Sequence, residues 1–203
     1  MLLSVASPTL LPAAIQYTDV PVVVTNGWPI IGLPSNPYPL DLDGDGATDL
    51  IFSSQTDGFS VFTQTGAAVW ATAAGAMDLN TLAVPLAAGT EITASLQPLY
   101  LWDNDSVNGS LLTSAMSQGA IGLFTGQNAY LGVQFLHSGE THYGWVHLDT
   151  SYVGLNTGNL LGYAWEDVPG QALMAGQVPE PSIWALMGLA GVLLFCRHRF
   201  CSR

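Results

Sequence analysis

Four aspartates within nine residues form the densest cluster of reactive groups in the chain. Asp41, Asp43, Asp45 and Asp49 stand in the order D-x-D-x-D-G-x-x-D. Carboxylates at alternate positions of a curling loop turn toward one centre, and a hard cation such as Ca2+ takes clustered oxygen ligands of this kind. Gly46 supplies the sharp bend, and Ala47 offers a backbone carbonyl at the seventh position. Four like charges this close repel one another, and a divalent cation relieves the repulsion. The twelfth position is Phe52, where an EF-hand needs a bidentate Glu, so the loop is not an EF-hand. Extracellular calcium loops bind at roughly 10⁻⁴–10⁻³ M, which makes the expected ion structural rather than a switch. Asp103, Asp105 and Asn108 offer a second, sparser set of oxygen ligands.

Other residue types suggest chemistry that their spacing does not support. His137, His142 and His147 recur every five residues. In a strand this puts His142 and His147 on opposite faces, and in a helix it misses the i, i+4 pairing of a zinc site. They read as polar residues at strand ends and faces. No G-x-S-x-G elbow is present, although a Ser-His-Asp triad is defined by geometry and needs no motif. Glu140 and Glu166 are the acids outside the loop that could pair for glycoside hydrolysis. Nothing in their surroundings marks them for it, and the domain is expected to be no enzyme. Trp70, Trp102, Tyr143, Trp145 and Trp165 could form a platform on which sugars stack, although aromatic side chains more commonly fill a core.

The elements that must position these residues are strands. The acidic loop runs straight into Leu50–Ser53, and the loop resembles the Asp-rich loops of exported β-proteins, in which a strand follows directly. Asp57-Gly58 turns the chain into the alternating Phe59–Thr63, a hairpin signature. Asp19–Thr25, Trp28–Ile31, Ala67–Ala71, Glu91–Leu96, Leu99–Trp102, Gly119–Thr125, Asn128–Leu136, His142–Leu148 and Leu160–Glu166 also read as extended. Asp78–Ala88 reads as a loop or one short helix. In His142–Leu148, Tyr143, Trp145 and His147 share one face, and Val146 and Leu148 share the other. About nine short strands with frequent turns predict an all-β domain, a β-sandwich or jelly roll, spanning 15–176.

Charge is distributed in the same direction as the chain. The 203 residues carry a net charge of −12, with 49% hydrophobic and only 9% charged residues. Fourteen of the fifteen acids precede residue 178, and Lys and Arg occur only at Arg197, Arg199 and Arg203. The domain therefore has no cation to offer a phosphate, which excludes nucleic-acid binding by charge neutralisation. It also has no Lys or Arg for an ion pair. Buried carboxylates must find backbone donors, hydroxyls or metal. Both cysteines, Cys196 and Cys201, lie in the tail, so the domain has no disulfide. Residues 1–14 are apolar and end in small residues but lack a positive n-region, as expected of a truncated signal-peptide remnant.

The tail, 178–203, has three parts. Pro179-Glu180-Pro181 comes first, then the uncharged run Ile183–Cys196, then the cluster holding Arg197 and Arg199. The 14-residue run covers roughly 21 Å as a helix, short for a bilayer core of about 30 Å. An apolar segment stopped by cations leaves its basic end on the cytoplasmic side. In this order the tail resembles the PEP-CTERM sorting signal of bacterial exported proteins. The resemblance implies recognition by an exosortase, a membrane transpeptidase, with Pro179, Glu180, Pro181, Arg197 and Arg199 as the signal. A processed segment need not be a durable anchor, which accounts for its shortness. Tyr143-Gly-Trp-Val, Tyr163-Ala-Trp-Glu and the acidic loop are more loosely similar to exported PEP-CTERM proteins of no assigned activity. The combined expectation is a non-enzymatic protein that crosses the inner membrane by its C-terminal helix and reaches the cell surface or extracellular matrix. A calcium-assisted module for exopolysaccharide and a glycoside hydrolase are the alternatives.

Overall fold

A computed structural model describes residues 14–24, 37–54, 58–72, 81–106, 109–116, 119–151 and 157–179. The signal-peptide remnant before Ala14, the stretch Trp28–Ile31, and the tail from Glu180 on, with its expected helix, lie outside the described residues. Among the described residues every element is a strand, and no helix is long and apolar enough to cross a membrane.

The strands are β1 (Ile15–Val24), β2 (Tyr38–Leu40), β3 (Leu50–Ser54), β4 (Gly58–Thr63), β5 (Ala68–Thr72), β6 (Thr81–Ala83), β7 (Pro85–Leu86), β8 (Glu91–Ile92), β9 (Tyr100–Asp103), β10 (Ser110–Met116), β11 (Gly119–Ile121), β12 (Asn128–His137), β13 (Glu140–Asp149), β14 (Gly158–Glu166) and β15 (Leu173–Met174). Thirteen of them share one sheet, in the order β1-β14-β13-β12-β5-β6-β10-β4-β3-β2, with β7, β9 and β11 paired at its side. β8 and β15 form a separate two-stranded sheet.

The all-β expectation holds, but the strands are not divided between two separate sheets of a sandwich. One continuous sheet curls until β1 packs on β3, so it nearly closes on itself. The link between its two halves runs through part of Asp78–Ala88, read from sequence as loop or helix. There β6 pairs with both β5 and β10, and β7 pairs with β12. β6 and β7 hold three and two residues, too few to show a period-2 pattern in this stretch.

The central hairpin follows sequence rules closely. β12 and β13 pair without a break from Asn128↔Asp149 to His137↔Glu140. The two turn residues, Ser138 and Gly139, have φ of 54° and 82°. Positive φ at both positions is the turn geometry that matches the twist of paired strands.

Alternation sends the two faces of this hairpin into two cores. Leu131, Val133, Phe135, Val146 and Leu148 face the inside of the curl, where they meet Leu50, Phe52, Phe59 and Val61. Tyr143 and Trp145 face outward into a second cluster with Trp70, Val84, Leu86, Ile92, Leu173 and Ala175. The outer cluster is covered by the 84–102 arm and by the β15 segment, so the central hairpin is buried on both faces.

Candidate functional site

The acidic loop joins β2 to β3, which pair antiparallel and close the loop at Leu40↔Leu50. Leu42, 2% exposed, anchors the loop in the core from between two aspartates. Gly44 and Gly46 take φ of 76° and 91°, left-handed values that let the backbone curl. The carboxylates hold the curl as well. Asp41 accepts from the N–H groups of Gly44 (2.7 Å) and Gly46 (2.9 Å), and Asp49 accepts from Leu42 N–H (2.8 Å).

Asp41, Asp43 and Asp49 each place an oxygen within 4.8 Å of the others. Two oxygens bound to one Ca2+ at 2.3–2.6 Å can lie up to about 5 Å apart, so the three groups are within reach of a single ion. Asp45 is not brought into this group. Its residue is exposed, and its carboxylate accepts from Ala47 N–H at 2.7 Å. Burial pushes the Asp49 carboxyl up to about 6, helped by the negative charges of Asp43, Asp41 and Asp45 and opposed by the Leu42 N–H. That cost of ionising Asp49 falls on the metal-free loop.

The sequence reading missed one partner. His137, at the tip of β12, places Nδ1 2.6 Å from Asp43 Oδ2. The Asp43 side chain is only 2% exposed and that of His137 is 36% exposed. Ninety-four residues separate the two, and no local pattern could have paired them. His137 and His142 also lie against Trp165, with ring centroids at 5.2 and 5.3 Å. The three histidines do not converge on a metal. His142 Nδ1 pairs with Glu166 O at 2.8 Å, and His147 stacks on Tyr130 across the sheet.

The remaining acids behave as a domain without Lys or Arg requires. Buried Asp103 accepts from the hydroxyls of Thr81 and Ser110 and from the N–H of Asp105 at 3.2 Å. It is thus engaged by neutral donors, and Asn108, the third member of that sparser set, lies outside the described residues. Asp149 accepts from the N–H and hydroxyl of Ser151. Glu166, 2% exposed, accepts from Val168 N–H at 3.1 Å, and burial raises its carboxyl above the ordinary value. Glu140 instead sits exposed at the β12–β13 turn.

Four of the five aromatic residues named as a sugar platform are core. Trp70, Tyr143, Trp145 and Trp165 are all at most 8% exposed. Trp102 is half-buried and stacks on Tyr143 at 6.0 Å.

At the other end of the domain, the fold persists to the edge of the tail. Pro179 is the last described residue and is exposed. Residues 177–199 match the family model of the PEP-CTERM protein-sorting motif. The chain carries a PEP-CTERM sorting motif. That motif marks an exported protein that passes the membrane and is processed by an exosortase-type enzyme. Glu180, Pro181, Arg197 and Arg199 lie within the match and outside the described residues. No curated protein and no solved structure matches the chain.

Proposed function

We propose that this is a non-enzymatic protein of the cell surface or extracellular matrix, delivered through its sorting motif and stiffened by Ca2+ in the 41–49 loop. The observation that supports the ion is the convergence of Asp41, Asp43 and Asp49 within 4.8 Å, in a domain that has no Lys or Arg to balance them. The ion would join the closing loop of β2–β3 to the tip of β12 through Asp43. Its role is mechanical: it holds one edge of the curled sheet against the central hairpin. Calorimetric titration of chelator-treated protein with CaCl2 tests this. One site per chain in the submillimolar to millimolar range is expected, and no heat beyond dilution counts against it. Fractionation of the producing cells tests delivery, with the mature domain expected outside the cytoplasm.

A second reading, saccharide binding, has one observation in its favour. An open groove of about 420 Å³ is lined by Gln64, Thr65, Trp102, Asn104, Ser106 and Gln134. All of these are uncharged hydrogen-bonding residues, and the buried Trp102 Nε1 has no acceptor among the described residues. Carboxamides, hydroxyls and an indole suit a neutral sugar better than an anionic one. Binding of neutral oligosaccharides that is lost in Gln134→Ala and unchanged by chelator would place the ligand here, away from the acidic loop.

A further inference from the structure

The fold does not stop short of the sorting motif; it runs into it. Leu173 and Ala175 are 1% and 2% exposed and belong to the outer core. β15 pairs with β8 through Leu173↔Ile92 and Met174↔Glu91. Ala175 N–H donates to Thr90 O and Ala175 O accepts from Gly89 N–H, each at 2.8 Å. Gly176, with φ of 78°, lies against Tyr130 so closely that an added Cβ would stand 2.8 Å from the ring. Gln177 makes three hydrogen bonds, one to Trp145 of the domain and two within the segment to Met174. Its carbonyl accepts from Trp145 Nε1 at 3.1 Å, its amide oxygen accepts from Met174 N–H at 3.1 Å, and its N–H donates to Met174 O at 2.9 Å.

Gln177 is also the first residue of the motif match. Between the last clamped residue and Pro179-Glu180-Pro181 stands only Val178. An enzyme that cuts a peptide bond binds several residues in extended form on the N-terminal side of that bond. For a bond next to Pro179-Glu180-Pro181 those residues would be drawn from 173–178, and in the closed fold the backbone groups of Leu173, Met174, Ala175 and Gln177 are already engaged.

We propose that segment 173–177 is a strap that gates processing: the exosortase-type enzyme acts on this protein only when the strap has left β8 and Trp145. Folding and sorting are thereby coupled. A chain whose strap has not yet docked is processed quickly, and a docked chain waits on local opening, which is less costly than global unfolding. Trp145 is a positioning residue in this scheme, since it touches the strap and not the bond that is cut. The proposal rests on processing at the motif, as the proposed function does.

The test compares four full-length proteins in cells that supply the exosortase, following conversion of precursor to product by mass. They are the wild type, Trp145→Phe, a protein with about ten Gly/Ser residues inserted between Gln177 and Val178, and the combination of insertion with Trp145→Phe. Trp145→Phe keeps an aromatic ring but removes the hydrogen bond to Gln177, so conversion should speed up by about two- to tenfold. The insertion should speed conversion at least as much, since it frees the substrate residues with the strap still docked. In the inserted background Trp145→Phe should add nothing. Equal conversion rates in all four proteins, or a Trp145→Phe effect of the same size in both backgrounds, would overturn the gate. Absence of conversion in all four would instead remove the sorting reading on which the gate stands.

Discussion

The behaviour of the acidic loop turns on individual carboxyl groups. Asp49 has its carboxyl pushed up to about 6 from 3.8 by burial and like-charged neighbours. A carboxyl with a raised folded pKa holds its proton more tightly in the folded state than in the unfolded one. Its contribution to metal-free stability is therefore full below about 3.8 and is lost as pH rises through about 6. Thermal melts in chelator across pH 4 to 7 should show this decline in the wild type and a flatter profile in Asp49→Asn, which keeps an acceptor for Leu42 N–H. Calcium requires the carboxylate form, so any stabilisation by calcium should shrink below about pH 6. The neighbouring aspartates should not be equivalent. Asp43→Asn should weaken calcium binding more than Asp45→Asn, because Asp43 belongs to the convergent trio and Asp45 is exposed and outside it. Calorimetric titration of the two variants decides between them, and equal losses would contradict this geometry.

Elements were legible where strand pattern and turn chemistry lie side by side in sequence. The β3–β4 hairpin, the β12–β13 hairpin and β14 all follow from alternation bounded by turn residues. The opposite faces of His142 and His147 followed from the same alternation. What could not be read was pairing at a distance and pairing in very short strands. β6, β7 and β15 contain only two or three residues, and their register is set by neighbours far along the chain. The His137–Asp43 pair and the hydroxyls around Asp103 are likewise products of tertiary contact. The motif in the tail was legible because its three parts are adjacent. The β12–β13 turn offers a check at this scale. Ser138 is the non-glycine residue with positive φ among those described, and Asn tolerates that conformation better. Ser138→Asn should stabilise the domain by a few tenths of a kcal/mol in denaturant melts, whereas Ser138→Val should destabilise it, since β-branched residues are disfavoured at positive φ.

For the whole molecule, curling replaces the division into two sheets. β14 lies near one end of the sheet and β4 near the other, yet Gly158 in β14 faces Phe59 in β4 across the interior. A Cβ at Gly158 would stand 2.4 Å from the Phe59 ring. Gly158→Ala should therefore destabilise by about 1–3 kcal/mol through overpacking, measured by urea denaturation. A neutral result would mean that the two ends of the sheet are not in contact as described. The strong acidity belongs to this scale too. Without Lys or Arg, the buried acids are met by hydroxyls and backbone N–H groups, and among the described residues the 41–49 loop brings three carboxylates within 4.8 Å of one another. The measurement that tests the account most directly is a thermal melt of the domain with calcium and with chelator, in parallel for wild type and Asp41→Asn. At calcium a hundredfold above its dissociation constant, the wild type should gain about 2.7 kcal/mol and melt at a higher temperature, and Asp41→Asn should gain little. Identical melting of the wild type in calcium and in chelator would contradict the account.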